Sequence, residues 1–176
     1  MIITLAEAKK LHSEITQEDL DGIEVAIREL THNNFQNRNV RIDQLKFEGT
    51  KIVSFEEKIG FVKGKTIQVS NSKYNDGLYT IKTVDSDYIE VEGDTPFIST
   101  TVMRAIATLV EYPADIVAGV RKLIQYDKRM GHKLGIKSET ISRWSTSYYD
   151  QNSSETVNGY PAAMMAFITK YRKLRF

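Results

Sequence analysis

Cysteine is absent from the 176-residue sequence. That excludes a disulfide framework and any thiolate metal site, and it is compatible with the cytosol. Long apolar runs are missing as well: nothing approaches the roughly 20 consecutive apolar residues needed to span a bilayer. The opening MIITLAEAKK lacks both the basic n-region and the apolar h-region of a signal peptide, so a soluble protein with no membrane partner is expected. Charge of one sign is also scarce. With 24 Lys and Arg against 23 Asp and Glu the formal net charge is +1, and general attraction to nucleic acid or membrane is not written into the composition. Any relation to DNA must be local or geometric.

The usual carriers of catalysis are missing too. The three histidines, His12, His32 and His132, are scattered, with no HExxH spacing and no cysteine to complete a zinc site. IGFVKGK has a lysine after Gly64 but lacks the paired glycines and the Ser/Thr of a phosphate-binding loop, and it reads as a hairpin turn. SNSKYNDG, at 70–77, has oxygens suited to a hard cation, but strand-like segments flank it, so Asn75-Asp76-Gly77 reads as a turn. The serines of SETISRWSTS have no nucleophile elbow and no nearby histidine. No enzymatic activity, metal or cofactor is expected.

What is present is a clear change of period along the chain. Thr4 with Glu7, and Thr16 with Asp19, have the spacing of capping boxes, which join a hydroxyl acceptor to a carboxylate at the positive end of a helix. Leu20, Ile23, Ile27 and Leu30 then share one helical face, and the polar run Thr31 to Asn34 ends that helix. From about residue 43, LKFEGTKIVSF, KTIQVS, GLYTIKTV and DYIEVEG alternate as strands do, punctuated by Gly64, Asn75-Asp76-Gly77 and Gly93. A sheet of about five such strands is the size of a small barrel or sandwich. TVMRAIATLVEYP fits strand and helix equally. Pro113 then opens a helix with Ile116, Val117, Val120, Leu123 and Ile124 as its stripe and Gly131 as a natural stop.

The expected fold class is therefore α+β: a small bundle of about four helices, an inserted all-β subdomain of about five short strands, and an extended C-terminal arm. Residues 1–42 form the N-terminal helical part, 43–105 the β insertion, and 106–176 the C-terminal helical part, with the arm at 140–149 and a closing helix at 161–174. A 176-residue chain is long enough for one good core or two small ones.

Two features carry an interaction signal. In the closing segment Met164, Phe167, Ile168, Tyr171 and Leu174 form a helical stripe, and Lys170, Arg172, Lys173 and Arg175 crowd the last turn. This is either a core helix whose cations complement its own dipole or a tail that docks on a partner or a phosphate backbone. In RWSTSYYD, Trp144 and Tyr148 alternate with serines, which suits an exposed strand completed by another chain and equally an intramolecular hairpin.

Taken in order, LVEYPADIVAGVRKLIQYD, GIKSETISRWSTSYYD and GYPAAMMAFITKYRKLRF, after an N-terminal TLAEAKK and an acidic helix ending near NNFQNRN, resemble the head-tail connector (adaptor, head-completion) proteins of long-tailed double-stranded DNA phages and prophages. The resemblance covers both helical parts, and its most specific element is the ordered set of YP-helix, SETISR-x-S-x-x-Y and GYP-helix-KYRK. It implies a structural virion protein without chemistry. Such a subunit forms a homo-oligomeric ring below the portal protein, extends the DNA channel, lets double-stranded DNA pass without sequence-specific binding, and docks the next head-completion or tail protein. Its implied location is the head-tail interface of the virion, and the host cytoplasm during assembly. Trp144, Tyr148, Tyr149, Tyr160, Tyr171, Arg172, Lys173 and Arg175 are the implied contacts to a neighbouring subunit or the portal, with Tyr160, Phe167 and Tyr171 buried. Compact members pass from the second helix almost directly to the third, so the β block is an insertion that the resemblance does not explain. An alternative from the residues alone is a nucleic-acid-binding module, with Tyr74, Tyr79 and Tyr88 as stacking platforms and a basic tail on phosphate.

Overall fold

The computed structural model describes residues 1–94, 97–130, 138–141, 144–147 and 156–174. Its α+β chain divides into two compact units: a β unit of Asn34–Glu111 together with Met1, and a helical unit of Ile2–Asn33 and Tyr112–Phe176. The β unit begins at Asn34 instead of 43 and ends at Glu111 instead of 105. The earlier start follows from a polar first strand whose alternation is broken by bulges. The later end follows because the ambiguous segment after residue 100 is a strand.

Six strands close the β unit into an antiparallel barrel: β1 (Gln36–Glu48), β2 (Lys51–Val53), β3 (Thr66–Ser70), β4 (Gly77–Val84), β5 (Tyr88–Val91) and β6 (Thr100–Val110), in the order β1-β2-β5-β4-β3-β6. Closure comes from β1 pairing with β6, in a register that runs from Gln36 opposite Val110 to Phe47 opposite Thr100. Two irregularities interrupt it. At the second, Gln44 takes a left-handed φ of 53° and the register shifts by two residues, and Ile42 and Leu45 on either side of it are both fully buried despite their odd spacing. Ile52, Ile67, Val69, Ile81, Ile89 and Leu109 complete a core from which water is excluded.

Specific polar ties hold the loops of this barrel. Asn75 is buried, donates its amide to the Ile98 carbonyl at 2.9 Å and accepts the Ile98 N–H at 2.9 Å. Asp76 accepts the N–H and the hydroxyl of the fully buried Ser72, and the hydroxyl bond holds its carboxyl below the ordinary range. The expected turn at Asn75-Asp76-Gly77 is thus a closed hydrogen-bonded cap. Phe97 packs edge-on against Phe47 and Tyr79 with ring centres 5.1 and 4.9 Å away. Elsewhere Lys58 lies buried with its ammonium on the carbonyls of Ser54, Glu56 and Ser86, and desolvation pushes its pKa down.

Helices α1 (Leu5–Leu11), α2 (Gln17–Thr31) and α3 (Ala114–Met130) build the helical unit with a short α4 (Ala162–Met165). Both capping boxes form: Glu7 N–H reaches the Thr4 hydroxyl at 3.3 Å and Asp19 N–H the Thr16 hydroxyl at 3.2 Å, with the carboxylates returning to the cap amides. The α3 stripe of Ile116, Val120, Leu123 and Ile124 is buried. Gly119 lies between them because the Phe167 ring comes so close that a Cβ there would sit 2.5 Å from it. Strands β7 (Ser138–Ile141) and β8 (Trp144–Ser147) pair as an antiparallel hairpin, and β9 (Thr156–Val157) pairs with β10 (Tyr160–Pro161) across Asn158-Gly159, both left-handed. Among the described residues no helix is long and apolar enough to cross a membrane.

The closing segment departs from the expected helix over 161–174. It is α-helical only to Met165, continues as a 3₁₀ helix over Ala166–Tyr171, and is extended from Arg172. A repeat of three residues rather than 3.6 puts Met165, Ile168 and Tyr171 in line. Met165 and Ile168 are therefore buried and Leu174 is 79% exposed, whereas the expected stripe omits Met165 and includes Leu174.

The Asn75 tie yields a stability prediction. Replacement Asn75→Asp removes the donor to Ile98 and buries a charge, and is expected to cost about 2 kcal/mol in urea denaturation. A change below about 0.5 kcal/mol would show that the cap does not hold the barrel.

Candidate interaction surface

Three motif tyrosines tie the helical unit together through their hydroxyls. Tyr112, just before Pro113, donates to Glu24 of α2 at 2.8 Å, and Glu24 is itself buried. Tyr160, on β10, donates to Asp127 of α3 at 2.7 Å and tilts its ring against Tyr126. Tyr171 donates to Asp115, in the first turn of α3, at 2.6 Å, where Lys170 also binds at 2.6 Å. Burial, then the adjoining carboxylate, pushes the Tyr112 hydroxyl far above its ordinary value. Burial and the Asp127 bond do the same to Tyr160. The bond from Lys170 and then that from Tyr171 hold Asp115 below the carboxylate range. These hydroxyls are structural donors.

Tyr160, Phe167 and Tyr171, expected to be buried, are half-buried. Arg172 and Lys173 have exposed side chains. The backbone of the same residues has an internal role that the sequence did not announce. Lys173 N–H donates to the Thr31 carbonyl at 2.8 Å, and Asn33 donates its amide to the Tyr171 carbonyl at 3.3 Å. An otherwise orphaned carbonyl in the last turn of α2 is thereby satisfied by the tail. The main chain of the tail holds the fold together while its cations are left at the surface.

Trp144 opens β8 opposite Ile141, so its backbone is paired within the chain as the hairpin alternative requires. The side chains of that strand, and Tyr148, Tyr149 and Arg175 altogether, lie outside the described residues. Among the described residues no group of three histidine, aspartate or glutamate side chains is placed to hold a metal ion.

Two concavities flank the tail segment. An apolar cavity of about 290 Å³ is walled by Leu30, Val157, Ala162, Met165, Ala166 and Ile168, with Thr169 and Arg172 at its polar side. A second, of about 480 Å³, is acidic, with Glu18, Asp19 and Asp127 around His12 and Tyr160. In it, burial raises the Asp127 carboxyl above the ordinary value, against the opposing bond from Tyr160 and the charge of His12. In the sequence only the small residues Ala162 and Ala166 hint at the first cavity.

No protein-family model matches the chain, and no curated protein matches it by sequence.

A folded-state carboxyl raised above its unfolded value favours folding when protonated, a contribution present at low pH and lost as pH rises through the folded pKa. Asp127 has that sign, and an asparagine in its place would keep the acceptor for Tyr160 without the charge. The stability of Asp127→Asn relative to the parent is therefore expected to increase from about pH 3 to about pH 7 in denaturant titrations. A difference that is flat or falls with pH would contradict this.

Proposed function

We propose that the chain is a head-tail connector subunit of a long-tailed double-stranded DNA phage or prophage: a structural protein that forms a ring below the portal, continues the DNA channel and offers its other face to the next head-completion or tail component. One observation carries the reading. The residues of the ordered motif set belong to a single helical unit, and its tyrosines Tyr112, Tyr160 and Tyr171 are the ties that fasten α2, α3 and the closing segment. Three of the residues that carry the resemblance thus fasten the unit, and the stretch it leaves unexplained is a separate, self-closed barrel. An inserted unit with its own core leaves the helical part free to keep its partners. A near-neutral subunit suits a conduit, because a ring repeats every charge around its lumen and DNA must slide without tight binding.

The nucleic-acid alternative is supported by less. Tyr79 turns its ring onto Phe97 and donates its hydroxyl to the Asn75 carbonyl, so it offers no stacking face. Tyr74 and Tyr88 remain, with Lys73 and Lys51 placed over their rings at 4.8 and 4.1 Å.

Light scattering across concentration, on the chain alone and mixed with the portal protein of the same phage, tests the proposal. A ring-sized species in either sample is the expected outcome. A monomer in both, combined with salt-sensitive binding to single-stranded DNA, would replace the connector reading by the alternative.

A further inference from the structure

The loop between β2 and β3 presents a side chain that no folded monomer needs at its surface. Phe55 is 102% exposed, and Ile59 and Val62 on the same loop are 76% and 55% exposed. The loop carrying them is firmly held. Ser54 and Lys58 on either side of Phe55 are buried, the Ser54 hydroxyl donates to the Asp43 carbonyl at 2.9 Å, Glu56 accepts the Asp43 N–H at 2.6 Å, and Lys58 is fixed by its carbonyls. Phe55 is thus a preorganised aromatic knob, the kind of anchor that dominates interface energies because little entropy is lost when it docks.

The helical unit carries a matching socket. Its apolar cavity of about 290 Å³ is larger than the about 150 Å³ that suffices to enclose a benzene ring in a protein interior. Room remains beside a phenyl group for part of a second apolar side chain such as Ile59. Charge matches as well as shape. Glu57, exposed beside the knob, is the acid left after Glu56 has spent a carboxylate oxygen on Asp43, and the exposed Arg172 lines the socket with Lys173 next to it. An aromatic plug flanked by an acid meets an apolar hole flanked by cations.

We propose that Phe55 of one copy of this chain seats in the Met165–Ala166–Ile168 cavity of a second copy, with Glu57 against Arg172. The partner is a second copy because knob and socket are different surfaces of the same chain, and a contact of that kind is heterologous: repeated from copy to copy, it closes a ring or grows a filament. The contact stands on the geometry of the two surfaces. Only its closing into a ring rests on the connector reading, and it assigns the barrel the task of bridging neighbours.

The absence of native cysteine makes a clean test available. Phe55 and Ala166 are both exposed, so Phe55→Cys and Ala166→Cys are expected to fold, with thermal unfolding close to that of the parent. Tagged Phe55→Cys chain is mixed with untagged Ala166→Cys chain at a concentration where the parent self-associates, and oxidised. A disulfide forms only when the two Cα atoms come within about 7 Å. The expected product is the mixed disulfide between positions 55 and 166 on different chains, identified by peptide mass and exceeding the 55–55 and 166–166 products. Phe55→Asp in otherwise native full-length chain is expected to weaken self-association by about tenfold or more. If the parent assembles but no 55–166 link forms and Phe55→Asp assembles equally well, the knob-and-socket contact is overturned while the connector reading survives. If the parent is monomeric alone and with portal, both fall. A link from the Phe55→Cys chain to portal, in place of one to the Ala166→Cys chain, also overturns the contact.

Discussion

The pairing of β1 with β6 is the constraint on which the rest of this chain depends. It is the seam that closes the barrel, and it joins the first strand of the insertion to the last. Gln36 lies opposite Val110, Glu111 N–H donates to the Phe35 carbonyl at 2.9 Å, and Asn37 donates to the Glu111 carboxylate at 2.6 Å. The chain therefore enters and leaves the barrel at one point. A unit whose ends are adjacent can be inserted without distorting the structure that receives it. Were β1 and β6 not neighbours, the segments carrying α2 and α3 would be held apart by the width of a barrel.

The same seam explains why the insertion was legible only in part. The strands with β-branched alternation, KTIQVS, GLYTIKTV and DYIEVEG, stand where their pattern places them, because their partners and the barrel interior ask for what their side chains offer. QNRNVRID does not advertise a strand. Its residues up to Arg41 are polar or half-buried, and two register shifts break the period of two that pattern reading relies on. TVMRAIATLV is ambiguous for the opposite reason: its last four residues are all buried, and continuous burial removes the alternation. In the helical unit the capping boxes were readable because their chemistry is local. The tail was not, since its 3₁₀ segment packs Phe167 over Gly119, a contact between residues far apart in sequence that local periodicity does not reveal.

Chemistry and architecture point the same way in this molecule. Several polar groups among the described residues are engaged within the fold: the motif tyrosines hold carboxylates, the Lys58 ammonium holds carbonyls, and Asp76 holds a turn. Facing outward are an exposed aromatic side chain on the barrel, an apolar cavity on the helical unit, and cations at the tail. Surfaces of that kind are used for assembly, where shape and desolvation select the partner. Under the connector proposal the helical unit would carry the assembly role, and under the knob-and-socket proposal the barrel would add a contact between neighbours.

Electron microscopy of the full-length chain bound to its portal tests that account most directly, because it reports symmetry and the place of each unit in a single image reconstruction. The account predicts a ring coaxial with the portal, an open channel through it, and the barrel of each subunit reaching the helical unit of the next. Subunits scattered on the portal without mutual contact, or a ring whose barrels touch no neighbour, would contradict it.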